Sequence, residues 1–105
     1  MAWCYLTFAS LFEILFALSL KHSDSFTHVG YSTMAVLNMF LSLLLLSVAM
    51  QTLPLALSYA VWTGAGIIGT SLTAMLWLNE AVNPLKLGGL VLIGLGILLL
   101  KLGEA

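Results

Sequence analysis

The stretch LTFASLFEILFALSL, residues 6–20, decides the fold. It is apolar almost without a break, yet one carboxylate, Glu13, sits near its middle. Three further apolar runs follow, at 29–50, 55–78 and 85–100. Each is close to the ~20 residues that an α-helix needs to cross a hydrocarbon core of about 30 Å. Short polar segments separate them: KHSDSFTH, QTLP and NEAVNP. No run alternates with period 2, which disfavours a transmembrane barrel. Pro54 and Pro84 stand just before the third and fourth runs, where a helix tolerates proline. The expected architecture is an all-α membrane protein with one domain over 1–105. Its helices fall at about 3–20, 29–50, 55–78 and 85–101. The fourth run is the shortest, so it must borrow flanking residues or thin the bilayer.

Composition supports this. Of 105 residues, 62% are hydrophobic and 7% charged, against about 25% charged in a soluble domain. Such a chain cannot cover a water-facing surface. The formal net charge of -1 argues against a nucleic-acid partner. The single cysteine, Cys4, cannot close an internal disulfide, and no Cys or His spacing suits a metal. Its plain reading is a small apolar helix residue. No cofactor is expected. Without a nucleophile–base pair or a metal cluster, an enzyme is not expected either. The start MAWCYL lacks a basic segment and the first run holds an acid, so a cleavable signal peptide is not expected. Four spans put Lys21 and Lys86 on one side of the membrane, and Lys101 with the amino terminus on the other. The positive charge bias that orients membrane proteins is close to nil. Either the chain is simply poor in charge, or it inserts both ways round and pairs antiparallel.

Glu13 lies ten residues into the first span. At ~1.5 Å per residue that is about 15 Å deep, near the midplane. An ionised side chain there costs on the order of 3 kcal/mol on insertion scales. No Lys or Arg lies within the spans to pair with it. Either it is protonated and bonded to a neighbouring helix, or its counter-charge arrives from outside as a proton or a cation. Leu6, Ala9, Ser10, Phe16, Ala17 and Leu20 share its helical face. Ser10 can donate to the carboxylate, and Phe16 is an aromatic one turn on. In the third span, Tyr59, Trp62, Thr63, Gly66 and Thr70 form a stripe. Aromatic faces attract cations, although Tyr and Trp also form interfacial belts. Ser42 is mid-span in the second run, where a serine often bonds only its own helix. Gly64, Gly66 and Gly69 permit close helix approach, and a bend at Gly64 and Gly66. Gly89 and Gly96 are two turns apart in the fourth span, a small-residue seam for packing against another helix.

These features resemble the small multidrug resistance transporters over essentially the whole chain. The matches are Glu13 at mid-span, K-x-S-x-x-F-T at 21–27, Y-A-V-W-T-G-x-G at 59–66 and G-L-x-L-I-x-x-G-I at 89–97. The last is similar to the family's dimerisation stretch. The resemblance implies a multi-pass protein of the bacterial inner membrane and an antiparallel homodimer of dual topology. It implies proton-coupled antiport of a small organic cation, with the two glutamates of the dimer binding protons or substrate in turn. The implied binding set is Glu13, Ser42, Tyr59 and Trp62, with Ser10, Phe16 and Thr63 as secondary candidates. W-T-G at 62–64, Ser42 and NEAVNPLKL are similar to the guanidinium-exporting branch. The quaternary-ammonium branch more often carries W-S-G. Several positions depart from the pattern. Phe16 stands where the guanidinium branch usually has Trp. Ser10 and Ser25 each replace a glycine, and PLALSYA at 54–60 replaces P-x-G-T-A-Y-A. These departures leave quaternary-ammonium export and a heterodimer with a paralogue open. A proton-conducting or regulatory subunit of a larger membrane complex is the reading from another class. Tyr59 and Trp62 argue against it, since protons need no aromatic walls.

Overall fold

The computed structural model describes residues 2–103. Four helices follow one another: α1 (Ala2–His22), α2 (Val29–Ala49), α3 (Leu55–Trp77) and α4 (Pro84–Gly103). At ~1.5 Å per residue, each is about the length of the hydrocarbon core. All four are apolar enough to cross it. Several ends differ from the hydropathy reading by one or two residues, two of them for clear local reasons. α1 runs on through Lys21 and His22, because cations in a last turn suit the helix dipole. α4 begins earlier, because Asn83 caps it. Its Oδ1 accepts the Lys86 N–H at 2.9 Å, and Pro84 takes the first helical position, where no N–H is needed. The fourth helix reaches spanning length by adding Pro84 at its start and Lys101 to Gly103 beyond the apolar run.

The helices form a flat assembly, 45 × 35 × 17 Å. α1 packs against both α2 and α3, α2 touches α3 slightly, and α4 leans on α3, with Lys101 also set over the Trp3 ring of α1. The small core lies between α1, α2 and α3: Leu6, Ala9, Leu46, Ala49 and Trp62. No residue of α4 is buried. Large apolar side chains such as Phe8, Phe40, Leu85 and Leu99 stand exposed around the outside. That is untenable against water over such an area and natural against lipid.

The glycines of α3 explain its spacing. Gly64 faces α4, where a Cβ would strike Ile97 and Ile93. Gly66 and Gly69 face α1, where a Cβ would strike Glu13 and Ile14. α3 is continuous through all three. Nothing lies within 4 Å of the Cβ position at Gly89 or Gly96, so the α4 seam is open along this chain.

The first loop is built around Ser23, which is fully buried. Its hydroxyl donates to the Leu20 carbonyl at 2.7 Å and accepts the Phe26 N–H at 3.1 Å. Its carbonyl accepts the N–H groups of Thr27 and His28. The turn holds Asp24, Ser25 and Phe26 in the left-handed region, with φ of 50°, 59° and 66°. A side chain there costs about 1–2 kcal/mol per residue. Ser25 thus occupies, with strain, a position that the resemblance fills with glycine. α3 ends more comfortably. Asn79 takes the left-handed position, and the Glu80 N–H closes back on the Ala74 carbonyl at 3.1 Å. We predict that Ser25→Gly raises stability by about 0.5–1 kcal/mol, the relieved strain outweighing the added chain entropy. Unfolding by SDS titration from dodecyl maltoside micelles measures it, and a loss of stability contradicts the left-handed turn.

Candidate functional site

Glu13 is half-buried on the α3-facing side of α1. It has its place because Gly66 has no side chain: a Cβ there would overlap the carboxylate itself. Among the described residues, Glu13 Oε1 is buried from the surface without a hydrogen-bond partner. The carboxylate opens onto a groove of about 280 Å³ between α1 and α3. Phe16, Ala17, Gly66, Ile67, Thr70 and Ser71 complete its walls.

The residues expected to hold Glu13 are engaged elsewhere in this chain. Ser10, buried, donates its hydroxyl to the Leu6 carbonyl at 3.0 Å. Ser42 is 0% exposed and crosses to another helix, donating to the Ala9 carbonyl at 2.6 Å. The Trp62 indole N–H donates to Ser42 Oγ at 2.8 Å. A buried relay thus runs α3→α2→α1, from Trp62 through Ser42 to Ala9. Ala9 is one turn before Glu13, so the relay fixes the turn that carries the carboxylate. Ser42 bonds across helices rather than to its own backbone, unlike Ser10, Thr7, Thr33 and Thr73.

The aromatic stripe of α3 is divided by its neighbours. Trp62 is only 6% exposed and belongs to the core. Tyr59 is 55% exposed, its ring 5.7 Å from that of Trp62 between centroids. With Thr63 and Gly64 it lines a second groove of about 530 Å³, between α3 and α4. Ile67 is common to both grooves and stands between them. Within one chain, therefore, Glu13, Phe16 and Gly66 share one groove, and Tyr59 and Thr63 the other. The stripe's edges, Trp62 and Thr63, are about 100° apart on a helix with 3.6 residues per turn. They meet different surroundings. The Thr63 hydroxyl and that of Ser58 are buried without a partner among the described residues. Ala17 joins the groove from the helical face it shares with Glu13, whereas Ser71 and Ile67 do not stand out in the sequence. Only Ser71 carries a polar signal there, one position after Thr70. No group of metal-binding side chains occurs among the described residues.

The relay yields a prediction. Ser42→Ala leaves a buried indole N–H unpaired and costs about 1–3 kcal/mol, and Trp62→Phe costs a comparable amount. Because the two share one bond, the double variant loses about 1 kcal/mol less than the sum. Strict additivity in a double-mutant unfolding cycle excludes a direct bond.

Comparisons with known proteins bear on the chain as a whole. The family model described as Small Multidrug Resistance protein matches residues 1–93. A guanidinium exporter of Escherichia coli O6:H1 is 43% identical over 102 residues, 97% of each chain. Guanidinium exporters of Escherichia coli K12 and Citrobacter freundii are each 42% identical over the same share. With four spans and bacterial relatives of equal length, this is a multi-pass protein of the bacterial inner membrane. The chain belongs to the small multidrug resistance family.

Proposed function

We propose that the chain, as a single four-helix membrane domain, exports a small organic cation in exchange for protons, with guanidinium or a substituted guanidinium favoured. One observation carries this reading. Glu13 is the one acidic residue within the four helices, and Oε1 has no donor among the described residues, beside a groove that Gly66 keeps clear. The names of the relatives support the substrate class. The orphaned oxygen bears on the choice of cation. A guanidinium brings its own N–H fork, which matches a carboxylate's two oxygens. A quaternary ammonium brings no donor and leaves the oxygen unpaired.

The working unit in this proposal is an antiparallel homodimer of dual topology. Gly89 and Gly96, open on α4, form its packing seam. Pairing brings the Glu13 grooves of two copies together near the midplane. With protons bound, both glutamates are neutral and tolerable in the bilayer. A cation binding from the cytoplasm displaces protons and pairs with carboxylate. Tyr59 supplies an accessible aromatic face, and Trp62 supports it from the core while holding Ser42. Phe16 walls the groove, Thr63 lines the neighbouring groove with Tyr59, and Ser10 lies about one turn before Glu13 on α1. The dimer exposes the site alternately to each side, bending near Gly64 and Gly66, as midplane-site transporters do. The proton gradient sets direction.

Currents on a solid-supported membrane, from purified protein in liposomes, test the reading. Guanidinium evokes current in the wild type, and Glu13→Gln abolishes it. Gly66→Ala, which pushes the carboxylate from its seat, lowers the current at least about tenfold, given how strongly position governs a binding group. Protons and cation compete for one carboxyl, so the half-saturating guanidinium concentration rises as pH falls while the maximal current is kept. A proton leak that needs no cation identifies a proton-conducting subunit instead. Larger currents with tetrapropylammonium than with guanidinium transfer the chain to quaternary-ammonium export.

A further inference from the structure

The Glu13 groove shares a wall with another cleft. Ser71 lines it, and Ser71 also lines a second cleft of about 350 Å³ that runs between α3 and α4 to the end of the molecule. The apolar walls of that outer cleft are Met75, Gly89, Leu90 and Ile93, so the seam proposed for a second copy borders it, and its mouth carries Glu80 and Lys86. The two clefts share the Ser71 side chain, so a route from a membrane surface to the midplane carboxylate would pass it. Thr70 and Ser71 lie along it, and among the described residues neither hydroxyl makes a side-chain hydrogen bond. Thr73, by contrast, returns its hydroxyl to the Gly69 carbonyl at 2.8 Å. Unpaired hydroxyls are costly against lipid and satisfied in a wetted passage.

The charges at the mouth are arranged for exchange. Lys86 turns its ammonium to the Ala81 carbonyl at 3.0 Å and so steadies the loop before α4. That leaves Lys21, from the end of α1, as the ionic partner of Glu80 among the described residues, at 3.7 Å. Both side chains are at least half exposed, so the pair is weak and solvent-screened. A carboxylate over apolar walls, held only by a loose lysine, suits a small cation with a carbon skeleton.

We propose that this path is the aqueous entrance to the Glu13 site from one membrane surface, and that Glu80 is an outer site where an incoming organic cation replaces Lys21. The assignment of a cation as ligand rests on the transport reading above; the path itself does not. Binding at Glu80 raises the local concentration of cation at the entrance and frees Lys21, after which Ser71 and Thr70 supply polar contacts on the way to Glu13.

The test uses the full chain in neutral phosphatidylcholine liposomes, with Cys4→Ser and Ser71→Cys. Labelling is followed with a trimethylammonium methanethiosulfonate, a sulfonate analogue and a neutral one. The cationic reagent reacts fastest. Glu80→Gln slows it about threefold or more, Lys21→Met quickens it, and neither changes the neutral reagent's rate, as expected for a local field. Absence of labelling by all three reagents, or equal slowing of all three by Glu80→Gln, overturns the entrance. In the unmodified Ser71 background, Glu80→Gln raises the half-saturating guanidinium concentration about threefold with the maximal current retained. An unchanged half-saturating value overturns the outer site even if Ser71→Cys fails to fold. Failure of wild-type protein to carry any cation current removes the transport reading instead, and the labelling contrast still decides the entrance.

Discussion

The constraint on which the structure depends is the meeting of a carboxylate with a glycine in the middle of the bilayer. Glu13 can face α3 only because Gly66 presents bare backbone. One turn further along, Gly69 does the same for Ile14. The two clearances draw α1 and α3 together along a shared face and leave a groove beside the acid. The opposite side of α3 repeats the device, with Gly64 receiving Ile93 and Ile97 of α4. α3 is thus thin on both sides, and its three glycines serve close approach to two different helices.

Apolar burial does little to choose between arrangements of such helices, because lipid is as apolar as the core. Directional contacts do more. The Trp62–Ser42–Ala9 relay ties three helices through two short buried hydrogen bonds, one of them on the backbone turn that precedes Glu13. Around it the packing is small and aliphatic: Leu6, Ala9, Leu46 and Ala49. α4 has no such tie. It is held by its contact with α3 and by Lys101 over the Trp3 ring, 5.1 Å from the centroid. A helix so loosely attached, with an open glycine seam, is the natural surface for a second copy in the proposed dimer.

What was legible in the sequence follows from this physics. Hydropathy alone locates four spans, since crossing lipid demands length and apolarity at every position. Glu13 is legible too, because a lone charge in such a run is costly. The lateral arrangement is not. Near-uniformly apolar helices have no polar face to say which side turns inward. Trp62 therefore reads as a binding aromatic beside Tyr59, yet it is drawn into the core by a bond to Ser42 that nothing in the spacing announces. The partners of Ser10 and Ser42 escape for the same reason: a hydroxyl chooses between its own helix and a neighbour, and only tertiary packing decides. Helix ends lie between these cases. Asn83 before Pro84 marks the start of α4 in residues as well as in coordinates, whereas the left-handed run at 24–26 is hidden because only Ser25 has a glycine counterpart in the family pattern.

The departures from that pattern have an energetic logic. Phe16 in place of Trp removes an indole N–H near the carboxylate, and Ser10 does not supply a substitute, because its proton is spent on Leu6. Ser42 is equally committed, to Ala9. A buried acceptor without a donor is costly by itself. It is also the arrangement in which a ligand's own N–H groups contribute most, since they satisfy an oxygen that the protein leaves bare. On the proposed reading, the missing tryptophan weakens the empty site more than the occupied one. The discrimination then falls on whether the cation carries N–H donors, more than on how well its carbon skeleton fits the walls.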